Sequence, residues 1–342
     1  MKSLEHHWYQ RSIIPVLLIP LSWIFSFIVA VRRRLYRAGI FKVSKPPVPV
    51  IVVGNITVGG TGKTPMVIWL VNLLKSRGYK PGIISRGYGG KAKHWPQQVR
   101  PDSDSAMVGD EPVLMAKRCR CPVAVSPDRV EAANAIFEHT NCDIIVSDDG
   151  MQHYALDRDI EIIVIDGVRR FGNGLPLPAG PLRESTSRLR EADFVVVNSG
   201  GVIRNEFPMS VVPLQLVNVR DESQVMALEE LRQMEVHAIA GIGNNERFFS
   251  QLEQLGIRIR RHGYPDHYKF SSKDVSFDDD LPVIMTEKDA VKCRRFANNR
   301  CWCLTIDAQL DFRFKERILA SIQKISNQKT LNPEVTHGQK IT

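Results

Sequence analysis

The feature that most constrains this chain is the run Val50-Ile51-Val52-Val53, which passes straight into Gly54-Asn55-Ile56-Thr57-Val58-Gly59-Gly60-Thr61-Gly62-Lys63-Thr64-Pro65 and then into an apolar-periodic stretch ending near Arg77. Four β-branched residues in a row read as a buried strand, and the stretch after Thr64 reads as a helix. A glycine-rich loop between strand and helix folds its backbone N–H groups inward, and the helix N-terminus adds a positive dipole. In this frame Thr57, Val58, Gly59, Gly60, Thr61 and Gly62 form an anion cradle. Lys63 reaches the β and γ phosphates of a nucleoside triphosphate, and the Thr64 hydroxyl is a ligand for Mg²⁺. The strict pattern carries Gly where Thr57 stands, and Gly59 and Gly60 supply the flexibility instead. Guanine specificity is not supported: no Asn-Lys-x-Asp follows a late strand, and Thr286-Glu287-Lys288-Asp289 has the wrong order.

Short apolar runs then alternate with helical stretches: Gly82 to Ser85, Val123 to Val125, Ile144 to Val146, Ile160 to Ile165 and Phe194 to Val197. This is the pattern of an α/β fold, a P-loop NTPase-like parallel sheet with helices on both faces. The pattern weakens over 204–234, and a second series opens with Val236 to Ala240. It continues through a helix over 245–255 and strands near 257–261, 281–285 and 302–306. The expected organisation is an N-terminal segment over 1–45, a P-loop kinase-like domain over 46–225, a smaller C-terminal α/β domain over 226–325 and a disordered tail over 326–342.

Charge is concentrated at one end. Residues 1–45 hold eight Lys and Arg against Glu5 alone, so this segment carries +7 of the chain's net +9. The body is close to neutral, which argues against a general nucleic-acid binder. Ile13 to Val31 is a stretch of 19 residues without a charge, followed at once by Arg32-Arg33-Arg34. As a helix it would reach about 28 Å, near the hydrocarbon thickness of a bilayer. Membrane contact is expected, with the basic cluster keeping the body on the cytoplasmic side whether the segment spans or lies in the interface. Pro20 is expected to break or kink the helix. No small-x-small site marks a cleaved signal. The six cysteines form no Cys-x-x-Cys pattern and read as reduced thiols.

A triphosphate loop needs a carboxylate at the end of a neighbouring strand to hold the metal, and Ile144 to Gly150 offers both Asp148 and Asp149. Asp110, in Val108-Gly109-Asp110-Glu111-Pro112, opens another helix and is a candidate base for transfer to a hydroxyl. His267, in His262-Gly263-Tyr264-Pro265-Asp266-His267-Tyr268, is a second candidate from the other series.

Seven strings occur in order: Gly59 to Pro65, Ser85-Arg86-Gly87-Tyr88-Gly89-Gly90, Val108 to Pro112, Asp148-Asp149-Gly150-Met151-Gln152-His153, Pro178 to Glu184, Pro265 to Tyr268 and Thr286 to Lys292. Together they closely resemble the tetraacyldisaccharide 4′-kinases of lipid A biosynthesis over roughly residues 10–305. The resemblance implies an ATP- and Mg²⁺-dependent kinase at the cytoplasmic face of the Gram-negative inner membrane. Its acceptor would be a tetraacylated glucosamine disaccharide 1-phosphate, its product lipid IVA, and its partners that lipid and the membrane surface, with no nucleic acid and no obligate protein partner. It further implies that Asp110 and His267 form an acid/base pair, that Lys63 and Asp149 act in catalysis, and that Asp148 and Asp149 serve the metal. Gln152, His153, Arg183 and Glu184 fall near the lipid headgroup. The family's N-terminal helix is expected to be peripheral. Met151, where Phe is common, and Ser185, where Pro is frequent, depart from the family pattern without removing a charged or hydroxyl group. The rival reading is a membrane-associated ATPase switch with a deviant loop, whose signature lysine would fall at Val58.

Overall fold

The computed structural model describes residues 4–10 and 12–331. Helices α1 (Leu4–Trp8) and α2 (Ile14–Arg37) precede the body, which opens with β1 (Val50–Gly54) and α3 (Lys63–Ser76). There follow β2 (Pro81–Ser85), β3 (Gln97–Val99), α4 (Ser105–Val108), α5 (Asp110–Cys119), β4 (Val123–Val125), α6 (Arg129–His139) and β5 (Ile144–Asp148). The middle of the chain supplies β6 (Ile160–Asp166), β7 (Phe194–Asn198), β8 (Glu206–Asn218) and β9 (Val225–Met226). The second series is β10 (Glu235–Ala240), α7 (Asn245–Gln254), β11 (Arg258–Gly263), β12 (Val283–Thr286), α8 (Glu287–Cys293), β13 (Cys301–Leu310) and α9 (Phe312–Leu331).

Both series belong to one sheet of thirteen strands among the described residues, in the order β11-β10-β12-β13-β8-β7-β6-β1-β5-β2-β4-β3, with β9 beside β8. Neighbours are parallel except at β8–β13, β3–β4 and β8–β9. The joint between the series is the antiparallel pair β8–β13, in register from Trp302 opposite Asn218 to Leu310 opposite Met209. A bulge between Thr305 and Ile306 accommodates Pro213, which cannot donate to a ladder. The weakly patterned region of the sequence thus contains the longest strand of the sheet.

Alternation along β1 sends Ile51 and Val53 to one face and Val50 and Val52 to the other. The first face is covered by α3, α5 and α9, the second by α6 and the segment around Leu182. In the second series Phe248, Phe249 and Leu252 of α7 cover one face, and Ala290 and Cys293 of α8 the other. Helix α9 returns to the first series, where Phe314 is fully buried against Trp69, Phe194 and Phe207. It runs on to Leu331, so the first residues of the segment expected to be disordered are helical; 332–342 lie outside the described residues. All six cysteines are free thiols, and all but Cys121 are buried.

Helix α2 continues through Pro20, whose exposed ring faces away from the body, so the expected break does not occur. A proline costs one hydrogen bond and crowds one turn, and here the flanking turns are anchored to the body and the helix continues past it. Pro15 and Ser22 are buried on its inner face; Ser22 Oγ donates to Pro176 O at 3.0 Å and accepts from Ala179 N at 3.0 Å. Trp8 Nε1 donates to Pro178 O at 3.0 Å, and at the far end Arg33 and Arg37 pair with Glu191. The opposite face exposes Leu17, Leu21, Ile24, Phe27, Ile28 and Val31.

Truncating Phe314 to Ala would remove a buried ring that ties α9 to three aromatic neighbours, a change that typically costs about 3–5 kcal/mol. Denaturant unfolding of Phe314→Ala should show a loss of that order; an unchanged midpoint would mean that α9 is not part of the core.

Candidate functional site

The glycine loop is built by hydrogen bonds that turn its carbonyls outward. Asn55 Nδ2 donates to Gly59 O at 3.3 Å, Arg169 Nη2 to Gly60 O at 2.8 Å and Asn198 Nδ2 to Thr61 O at 3.0 Å. Because a trans peptide points its C=O and N–H in opposite directions, the N–H groups of Gly60, Thr61 and Gly62 are aimed the other way, into the loop. The first N–H groups of α3 join them. Gly59 and Gly62 have φ of +101° and +99°, and a Cβ at Gly62 would lie 2.4 Å from Asn198 Nδ2, so glycine is required there. The Val58 N–H, by contrast, is taken by Pro181 O at 2.8 Å. Thr57 is buried and bridges to Leu182, and Thr64 is buried in the first turn of α3.

Asp148 and Asp149 follow β5, next to β1. Asp148 is fully buried, and its Oδ2 accepts from Ser85 Oγ at 3.2 Å while Oδ1 has no hydrogen-bond partner. Burial, with the Glu111 and Asp149 carboxylates beside it, pushes the Asp148 carboxyl up to about 7 against the pull of Lys63 and Arg129. Asp149 stands in the left-handed region at φ +49°, 3.6 Å from Lys63 Nζ and 3.1 Å from Arg183 Nη1. Burial acts upward on it too, but Lys63, Arg183 and Arg129 outweigh burial and hold its carboxyl below the usual range. The unpartnered Oδ1 of Asp148 beside the Thr64 helix start is the donor set a small hard cation needs. Among the described residues no group of three or more His, Cys, Asp or Glu side chains would hold a metal unaided. That suits Mg²⁺, which takes one or two carboxylates and completes its shell with water and phosphate oxygens.

Asp110 and His267 meet across the two series: His267 Nδ1 lies 3.4 Å from Asp110 Oδ2. Asp110 is buried at the start of α5, whereas His267 sits on an exposed turn at φ +57° with its ring near Tyr88. Burial works upward on the Asp110 carboxyl, and His267, Lys288 and Lys292 reverse it, leaving Asp110 below the usual carboxylate range. The bond to Asp110 raises the His267 imidazole above its ordinary value despite partial burial. A cleft of about 490 Å³ opens on this pair, lined also by Tyr88, Val113, Phe270 and Lys292. Glu111 ties the pair to the rest of the site, pairing with Lys288 on one side and acting on Asp148 on the other.

Gln152 donates to Asn55 O at 3.1 Å and to Glu184 Oε1 at 2.8 Å, and the Arg183 N–H donates to Ile56 O at 2.7 Å. Lys63, Asp149, Arg183, Gln152 and Glu184 therefore surround the loop as one group. His153 turns elsewhere, to Asp128 Oδ1 at 3.1 Å and the Arg129 N–H at 3.3 Å. Reasoning from sequence missed Arg129, buried with its guanidinium on Asp149 O at 3.2 Å, and the pair Asn198 and Arg247. Asn198 carried a usable signal, a polar residue ending an apolar strand as Asp148 does; Arg129 carried none. Lys288 and Lys292, four apart on α8, stood inside a quoted string without a role.

A parallel sheet whose first strand feeds such a loop, with acids closing the adjacent strand, defines the P-loop nucleotide-binding class. Within it, the family model described as tetraacyldisaccharide-1-P 4′-kinase (LpxK) matches residues 14–323. A tetraacyldisaccharide 4′-kinase of Nitrosococcus oceani is 51 % identical, covering 96 % of this chain and 97 % of its own. One of Coxiella burnetii is 46 % identical over 98 % and 99 %. The crystal structure of LpxK from Aquifex aeolicus in complex with ATP superimposes with a TM-score of 0.77 at 30 % identity, covering 90 % of this chain and 99 % of that one. The chain belongs to the LpxK family of tetraacyldisaccharide-1-P 4′-kinases.

The two shifts of the acid/base pair have opposite signs. Asp110, lowered, keeps its charge until pH falls through its depressed value; His267, raised, loses its proton only as pH climbs past its elevated one. The ion pair is complete between the ordinary carboxylate and imidazole ranges, about pH 4 to 6.5, and fades above the raised His267 value. Titration of His267 by NMR should give a midpoint above the ordinary imidazole value that falls in Asp110→Asn; an unchanged midpoint would show that Asp110 does not set it.

Proposed function

We propose that this protein transfers the γ-phosphoryl group of ATP to the 4′-hydroxyl of a tetraacylated glucosamine disaccharide 1-phosphate, giving lipid IVA. One observation carries the reading beyond family membership: Asp110 and His267, from different αβ series, meet as a pair, and Glu111 beside Asp110 acts on Asp148, which also feels Lys63 of the loop.

In this mechanism the loop N–H groups and Lys63 hold the triphosphate, and Arg183 and Arg129 add positive charge around Asp149. Mg²⁺, when bound, neutralises charge on the β and γ phosphates; Thr64, Asp148 and Asp149 are the residues that would hold it. The acceptor hydroxyl oxygen attacks the γ phosphorus, the bond to the β–γ bridging oxygen breaks, and ADP departs. The hydroxyl proton passes to Asp110, whose ionised form is ready to accept it, and His267 orients the carboxylate through Nδ1. Gln152 and Glu184 brace the loop, and in this reading Arg183, paired with Asp149, serves the sugar headgroup. The deviant-loop switch needs a lysine where Val58 stands and gives Asp110 and His267 no duty.

The lipid acceptor gives α2 its purpose. Its inner face is tied to the body from Pro15 to Arg37, and its outer face is an apolar stripe ending in a basic cluster. A helix of this kind lies in the membrane interface, with arginines at the level of anionic headgroups. The location that goes with this reading is the cytoplasmic face of the inner membrane.

In a transfer assay with radiolabelled ATP, Lys63→Ala should lose about 100-fold or more of turnover while remaining folded. Asp110→Ala should lower kcat by about 10²–10⁴-fold with ATP affinity little changed, because it acts on the hydroxyl. Near-normal transfer by either variant sinks the assignment of its residue. Replacing outer-face Leu17, Leu21 and Phe27 together by Glu leaves the docked face intact and should abolish sedimentation with anionic vesicles; undiminished sedimentation would move the membrane contact to another surface.

A further inference from the structure

Asn198 ends β7 with its side chain buried between the phosphate loop and the second αβ series. Its amide donates to Thr61 O at 3.0 Å, and it stands so close to Gly62 that no Cβ fits between them. Its own oxygen accepts from Arg247 Nη2 at 3.2 Å, and the same nitrogen donates to Ser199 Oγ at 3.0 Å. Arg247 lies in the first turn of α7, capped by Asn244. Two residues earlier on that helix, Asn245 Nδ2 donates to Tyr264 O at 2.8 Å, at the start of the turn that carries His267. A continuous hydrogen-bonded path therefore runs from Thr61 through Asn198, Arg247 and the α7 N-terminus to Tyr264 and the turn of His267. The bonds from Arg247 to Asn198 and Ser199 are the links that cross between the two series; the others lie within one series, and the α7 backbone joins Arg247 to Asn245.

We propose that Arg247 is a positioning residue: it latches the second series onto the phosphate loop through Asn198, and so sets where His267 stands against Asp110. Arg247 touches neither member of the acid/base pair, so its effect on turnover passes through His267. The inference rests on the phosphoryl-transfer reading above. It differs from a structural role for Arg247, because an exposed first-turn arginine that merely steadied α7 would alter stability and leave the coupling to His267 at zero.

The test is a double-mutant cycle on phosphate transfer from ATP to tetraacyldisaccharide 1-phosphate in detergent micelles. Arg247→Ala should lower kcat roughly 5- to 30-fold, the size of coupling carried by such networks, with the ATP KM changed by less than about threefold. In a His267→Ala background the same substitution should cost less than about twofold, since its target is gone. Arg247→Met, which keeps the aliphatic stem and removes the donors, should repeat the pattern. Equal losses in both backgrounds, a rise in ATP KM alone, or near-normal turnover would each overturn the latch while leaving the kinase reading intact. Absence of transfer by the unaltered protein would overturn the kinase reading, and the latch with it.

Discussion

The site depends on one antiparallel strand pair. The carboxylate of Asp110 and the imidazole of His267 lie more than a hundred residues apart in different αβ series, and each series is a mainly parallel sheet with its own covering helices. Pairing β8 antiparallel with β13 makes them one sheet whose two series run in opposite senses; because β7 pairs the start of β8 and β12 the start of β13, their C-terminal strand ends, where loops carry function in open parallel sheets, point toward each other. The joint is reinforced above by α5 and α8. Arg118 reaches across to Glu287 at 2.6 Å and to Ile306 O at 3.1 Å. Half-buried and doubly bonded, that arginine ties together the two helices that supply Asp110 and Lys292. Had the series been joined by a flexible linker alone, a pair only 3.4 Å apart would have had nothing to hold it.

The charge pattern around the loop is a consequence of crowding acids where a polyphosphate belongs. Asp148, Asp149, Glu111 and Asp110 converge on one region, and each is matched unequally by cations. Asp149 and Asp110 are compensated well enough to stay ionised. Asp148 is not, and retains an oxygen without a partner. Such an uncompensated carboxyl costs stability in the isolated protein, and the cost is offset when a cation arrives. Two of the relevant residues, Asp149 and His267, also hold left-handed backbone conformations that their side chains disfavour.

How much of this was legible in the sequence follows from which signals are local. The loop, its strand and helix, and Asp148 and Asp149 at a strand end were readable because each is a contiguous pattern. Most parallel strands were found within a residue or two, since buried β-branched runs announce themselves. The long strand β8 was not: Pro208 and Pro213 argue against a ladder, and the bulge at Leu214 of β8 itself, with the β7 pairing already ended at Met209, makes room for Pro213. Pro20 misled in the same way, because the anchoring of α2 at Ser22 lies 154 residues away at Pro176. Arg129 and the Asn198–Arg247 pair were invisible for a related reason: their partners are distant in sequence and their own surroundings carry no motif. The placement of His153 beside Asp128 depends on the loop before α6, a detail no spacing encodes.

The segment 176–184 brings the apolar helix α2 and the phosphate loop into one short stretch of space. Its early residues receive α2, through Pro176, Pro178 and Ala179. Its later residues support the loop: Pro181 O takes the Val58 N–H, Leu182 bridges Thr57, and Arg183 bonds Ile56 O while its guanidinium meets Asp149. Nine residues span at most about 30 Å even when extended, and here they are folded into turns. On the kinase reading, a lipid whose acyl chains stay in the bilayer needs only its headgroup to reach the loop, and this segment keeps the interfacial helix and the transferable phosphate within that reach. Lifting four acyl chains into water would cost about 0.8 kcal/mol for each methylene exposed, so bringing the loop to the membrane is the far cheaper arrangement.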